Sequence, residues 1–156
     1  MNADGSRARI DEATIEDVPQ LSNLLQILFT QEADFIPDTS RQQKGLRLII
    51  EQPEAGRIYC ARLGNRVVGM VSLLLTISTA EGNRAAWLED LVVHPDQRRR
   101  GIGGSLLRHA VDCAKQLGCS RITLLTDKTN HLAMQFYTRA GFTSSAMVPL
   151  RLYLQQ

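Results

Sequence analysis

A chain of 156 residues with 44% hydrophobic content is long enough to bury one substantial core. Its formal charge of only +2, from 18 basic and 16 acidic residues, argues against a general nucleic-acid surface. The longest apolar run, Val67 to Ile77, is interrupted by Gly69, Ser72 and Thr76, and the first residues form no basic, apolar leader, so neither export nor membrane insertion is expected.

Cys60, Cys113 and Cys119 fit no metal or redox spacing and read as small apolar residues in a reducing compartment, with the cytoplasm as the expected address. No repeat, low-complexity segment or linker divides the chain. One domain over residues 1–156 is expected, with 1–6 as a flexible polar lead.

In chain order, Ile10 to Ala13 reads as a short strand. Thr14 or Asp17 can cap a following helix that places Val18, Leu21, Leu24, Leu25 and Leu28 on one face. A loop through Pro37 leads to a second helix near Arg41 to Glu51, stopped by Pro53 and Gly56. Arg57 to Leu63 and Arg66 to Thr76 are strand-like runs joined by Gly64-Asn65, a hairpin signal. Ala85 to Val93 forms another strand, ended by His94-Pro95.

Gly101 to Leu117 carries Ile102, Leu106, Ala110, Cys113, Ala114 and Leu117 at helical spacing, with Gly118 as its stop. Ile122 to Thr126 reads as a buried strand and His131 to Arg139 as a short helix. Phe142 to Leu154 is expected to add one or two strands, which pair either inside the sheet or across a homodimer. The fold class is mixed α/β.

The segment with the most distinctive chemistry is HPDQRRRGIGGSLL, His94 to Leu107, placed between a strand and the first turn of a helix. The first N–H groups of a helix lack intrahelical partners and the dipole there is positive, so an anion is favoured. Gly101, Gly103 and Gly104 remove Cβ atoms that would hold a phosphate away, and Arg98, Arg99 and Arg100 add charge. The stretch contains neither G-x-x-x-x-G-K-S/T nor G-x-G-x-x-G. What remains is R-x-x-G-x-G, Arg98 to Gly103.

That loop, inside LEDLVVHPDQRRRGIGGSLL, together with NHLAMQFYTRAGF at Asn130 to Phe142, resembles the GCN5-related N-acetyltransferases, the GNAT family. The resemblance is strong from Leu88 to Phe142, weaker at Ile10 to Leu28 and the hairpin, and absent as a motif in the second-helix region. It implies a central, mostly antiparallel sheet whose fourth and fifth strands splay apart, flanked by about four helices. It also implies acetyl-CoA as co-substrate, with no metal, and a small-molecule or peptide amine as acceptor, with neither nucleic acid nor membrane as partner. By the same resemblance the backbone of Leu91, Val92 and Val93 binds the pantetheine arm like an added strand and offers an N–H to a developing oxyanion. Arg98, Arg99, Arg100, Gly101, Gly103, Gly104 and Ser105 surround the pyrophosphate, and Asn130 and Tyr137 lie beside the cofactor.

Acyl transfer to an amine needs a base, because an alkylamine of pKa about 10.4 is almost wholly protonated at pH 7, and it gains from an acid near the departing thiolate. Glu89 is the candidate base, with a pKa raised by burial beside Trp87 and Leu91 or acting through a water chain. Asp90 competes: alternation sets the two acids on opposite faces, and a bulge would upset that parity. Tyr137 is the candidate acid, although packing against Phe136 would also explain it. Asn130 is equally explained as a helix cap.

Glu32, Asp34 and Asp38 either attract a cationic acceptor or form an ordinary solvated loop. His94, His109 and His131 show no ligand-like spacing. The expected activity is direct transfer of acetyl from acetyl-CoA to a primary amine in a ternary complex. A non-catalytic acyl-CoA sensor is the alternative, and retention of both Glu89 and Tyr137 speaks against it.

Overall fold

The structure, a computed structural model, describes residues 7–32 and 36–155. The lead at 1–6 and Asp34 lie outside the described residues. The chain divides into two compact units, one up to Leu124 and one from Leu125 onward.

The first unit is a five-stranded sheet in the order β1-β2-β3-β4-β5, with β1 Arg9–Glu12, β2 Gly56–Leu63, β3 Arg66–Ser78, β4 Asn83–Val93 and β5 Cys119–Leu124. The first four strands pair antiparallel, and β5 runs parallel to β4. Helices α1, Val18–Gln31, and α2, Thr39–Ile50, follow β1, and α3, Ile102–Gln116, connects β4 to β5. This is the mixed sheet implied by the resemblance.

Helix periodicity sets the layers. Val18, Leu21, Leu24 and Leu25 of α1 and Leu46 of α2 join Ile58, Cys60, Met70 and Val92 in one core cluster. On α3, Leu106 and Ala110 are fully buried. Helix α3 packs closely on the sheet at Gly69, where an added Cβ would stand 2.9 Å from Leu106 Cδ1 and 3.2 Å from the Val92 carbonyl oxygen. Glycine is required there by contact.

A buried ion cluster ties β1 to the start of α1. Arg62 Nη1 and Nη2 donate to the two carboxylate oxygens of Asp17 at 2.6 and 2.7 Å, while Arg62 Nε donates to Asp11 at 2.7 Å. The guanidinium holds Asp17 below the usual carboxylate range.

Several expected boundaries move by a few residues, and one expected element is absent from the described residues. The fifth strand begins at Cys119 instead of Ile122, because pairing to β4 starts at Arg84↔Cys119. Residues 143–155 contain no strand, contrary to the expectation for Phe142 to Leu154. A strand needs a ladder, and here the Met147 N–H donates to Ser145 Oγ while Pro149 has no N–H to offer. Within this second unit the regular element is α4, His131–Arg139.

Candidate active site

The site begins where β5 leaves β4. Their pairing ends at Leu88↔Leu124, yet β4 continues to Val93, held by β3 alone. From Glu89 to Val93, including Leu91, Val92 and Val93, the other edge of β4 has no ladder partner among the described residues. A ligand with amide groups can add to such an edge as a strand would.

The loop after β4 forms an anion cradle. Arg98 Nε donates to the Val93 carbonyl at 3.1 Å, which fastens the loop to the strand end. Arg99 and Gly101 both take left-handed backbone, φ 64° and 78°, which turns the chain sharply into α3. No side chain caps α3 at Gly101, and the first intrahelical bond runs from Ser105 N–H to the Gly101 carbonyl at 3.0 Å. The N–H groups of Ile102, Gly103 and Gly104 therefore have no helical acceptor. A Cβ at Gly101 or Gly104 would meet nothing within 4 Å, so the cradle is open, and Arg98, Arg99 and Arg100 are exposed around it. These residues fit a diphosphate on geometry as well as charge.

Between cradle and hairpin, β4 bulges. Glu89 registers with Ser72 and Val92 with Met70, so Asp90 and Leu91 together oppose Val71. Asp90 sits at the bulge with φ 54°, in the left-handed region that a short polar side chain tolerates better than most. The two acids lie in different surroundings, and the extra residue follows them in the strand. Glu89 is exposed, whereas Asp90 lines a cavity of about 350 Å³ together with Leu25 and Phe29 of α1 and Gln42, Leu46 and Ile49 of α2.

Desolvation in that cavity, reinforced by the negative charge of Glu89 and Glu32, pushes Asp90 up to about 7. The Ser72 hydroxyl lies outside strict hydrogen-bond geometry but near enough to favour the ionised form in part. A larger depression of about 390 Å³ runs along α2 between Ser40 and Glu51. Its lining includes no residue of β4 or α3, so it is not connected to this chemistry.

In the second unit, Asn130 Oδ1 accepts from the Ala133 N–H at 3.1 Å and caps α4. Tyr137 packs edge-on against Phe136 and Phe142, with ring centroids 5.1 and 5.6 Å away. Burial pushes its phenol up to about 12. The packing explanation for Tyr137 is therefore observed, and the same packing keeps its proton in place at neutral pH.

His94 accepts from the Asp96 N–H at 3.3 Å, and His109 meets the Tyr59 ring edge-on at 4.8 Å. Among the described residues no group of three or more His, Cys, Asp or Glu side chains is arranged to hold a metal. Cys60, Cys113 and Cys119 are free thiols. No described helix is long and apolar enough to cross a membrane.

Gln42 is the residue the sequence reading passed over. Its signal was a polar side chain on the inward stripe Gln42, Leu46, Ile49 of α2, where spacing calls for an apolar one.

Comparison with known proteins gives this arrangement a family. An N-acetyltransferase of Methanocaldococcus jannaschii is 29% identical over 142 residues, covering 86% of this chain and 62% of its own length. The chain thus spans under two thirds of that relative. An aminoalkylphosphonate N-acetyltransferase of Salmonella typhimurium is 30% identical over 133 residues, covering 85% of this chain and 83% of the relative. The crystal structure of a possible acetyltransferase from Clostridium difficile superposes with a TM-score of 0.87 at 16% identity, over 97% of this chain and 100% of that one, and so shares its fold. The family model for the acetyltransferase (GNAT) family matches residues 19–142, across strand edge, cradle and α4 alike, and the chain belongs to that family.

Proposed function

We propose that the protein transfers an acetyl group from acetyl-CoA to a primary amine, both substrates being bound together, and that the whole chain acts as one catalytic domain. The observation that carries this reading is the convergence, on one strand, of an unpaired edge, a helix-terminal anion cradle and a carboxyl poised near neutrality at a bulge. Acetyl-CoA supplies an activated thioester. Arg98 to Arg100 and the N–H groups of Ile102 to Gly104 hold its pyrophosphate, and the backbone of Leu91 to Val93 holds its amide-bearing arm.

Asp90 takes the place that the sequence reading gave to Glu89. A base near pH 7 is half ionised in the working range and takes the amine's proton as the new C–N bond forms and makes that proton acidic. Glu89, exposed beside it, raises the Asp90 midpoint by like charge. Tyr137, protonated at neutral pH, is the donor as charge develops on the departing sulfur. The acceptor enters the cavity between α1, α2 and β4. The aminoalkylphosphonate relative supports a small-molecule amine in that role.

Calorimetric titration with acetyl-CoA tests the reading. A dissociation constant in the micromolar range, about −8 kcal/mol, is expected. Absence of binding at millimolar acetyl-CoA contradicts the assignment of the cradle and the function with it.

A further inference from the structure

The acceptor cavity contains one polar group whose chemistry is unmatched. Gln42 is 7% exposed, and its Oε1 accepts from Ser22 Oγ at 3.3 Å, but its Nε2 has no partner among the described residues. A buried amide N–H without an acceptor is unfavourable, and native structures normally satisfy such groups. Gln42 is one of the residues lining the cavity that contains Asp90, so an acceptor group there is within the reach of a small rotation of its amide.

The residue before it, Arg41, stands at the rim of the same cavity with a largely exposed guanidinium. Asp38, which lines the same cavity, is already engaged. Its Oδ1 accepts the Arg41 N–H at 3.1 Å as the cap of α2, and its Oδ2 lies 3.6 Å from Arg41 Nε. Arg41 keeps both Nη groups for another acceptor. The cavity therefore has donors from α2, a carboxyl from β4, and a lining that is otherwise mostly apolar.

Resting on the acetyltransferase reading above, we propose that the acceptor is a compact primary amine bearing an oxyanion, carboxylate or phosphonate, that Gln42 Nε2 and Arg41 bind while its amine meets Asp90. Gln42 is a specificity-determining residue: it selects the end of the acceptor that does not react. A diamine or polyamine would leave Gln42 unmatched and set a second cation against Arg41. A plain alkylamine would leave Gln42 unmatched.

The test is acetylation kinetics with amines matched in length: 3-aminopropanoate and 2-aminoethylphosphonate against 3-aminopropanamide, butylamine and 1,4-diaminobutane, followed by thiol release from acetyl-CoA. The oxyanion-bearing amines are expected to show kcat/KM at least about tenfold higher than the neutral and cationic ones. The ratio between the two acids tells carboxylate from phosphonate. Gln42→Leu is expected to raise KM for the preferred acid about tenfold with little change in kcat, and to leave acetyl-CoA affinity untouched. Arg41→Gln, at an exposed position, does the same to a smaller degree and serves if Gln42→Leu fails to fold.

Preferential turnover of butylamine or the diamine overturns this proposal while the acetyltransferase reading stands. So does an undiminished preference in both variants, or acetyl-CoA binding with no turnover of any acid in the panel. Loss of acetyl-CoA binding by the unaltered protein overturns the reading beneath it instead.

Discussion

Two aspartates of the first unit, Asp17 and Asp90, are both withdrawn from water, and their carboxyls shift in opposite directions. Asp17 faces the Arg62 fork at 2.6 and 2.7 Å and is held low. Asp90 has apolar side chains and two further carboxylates around it and is pushed up to about 7. Desolvation raises both carboxyls; the Arg62 fork overrides it at Asp17, whereas at Asp90 burial prevails and the neighbouring negative charges add to it. A cation supplied by the fold makes the first carboxylate a structural tie, and its absence at the bulge leaves the second with a proton to exchange.

The two sites also load stability in opposite directions. Asp17 has a folded value below its ordinary 3.8, so its contribution is present above that pH and is lost as pH falls through the lowered value. Asp90 has a folded value above 3.8, so the native state holds that proton more tightly than the unfolded chain. Its contribution is full below 3.8 and declines as pH rises toward 7.

The strongest way to break the contrast is Asp90→Asn, which keeps the shape and tolerates the left-handed backbone. It is expected to lower kcat/KM by about 10²–10⁴ while raising the melting temperature at pH 8, read by steady-state kinetics and a thermal melt. Arg62→Met is next: it leaves Asp17 buried without its cation and should cost about 3 kcal/mol in denaturant unfolding, with kcat preserved on the folded protein. Gly101→Ala strains a position at φ 78° by about 1–2 kcal/mol and should raise the acetyl-CoA dissociation constant about tenfold in calorimetry. Glu89→Gln has the smallest effect. Removing a like charge moves the acidic limb of the pH-rate profile to lower pH and changes the plateau less than about threefold.

The same contrast shows how far the sequence could be read. Helix α3 and its cradle were legible because apolar spacing from Ile102 to Ala114, a glycine cluster and three arginines are all local. The hairpin was legible from Gly64-Asn65 for the same reason. The differing environments of Glu89 and Asp90 were not, since the register shift between β3 and β4 and the left-handed backbone of Asp90 depend on pairing over long range. Gln42 was visible as a break in an apolar stripe, but its unmatched amide exists only once α1 brings Ser22 against α2. The segment beyond Phe142 alternates like a strand, yet alternation supplies no ladder partner.

Carbon-detected NMR titration of aspartate-labelled protein, with Asp90→Asn for assignment, separates the two carboxylates most directly. The expected result is one aspartate with a midpoint near 7 that vanishes in Asp90→Asn, while Asp17 stays ionised well below 3.8. An Asp90 midpoint in the ordinary range near 4 would contradict the assignment of the bulge as the catalytic base.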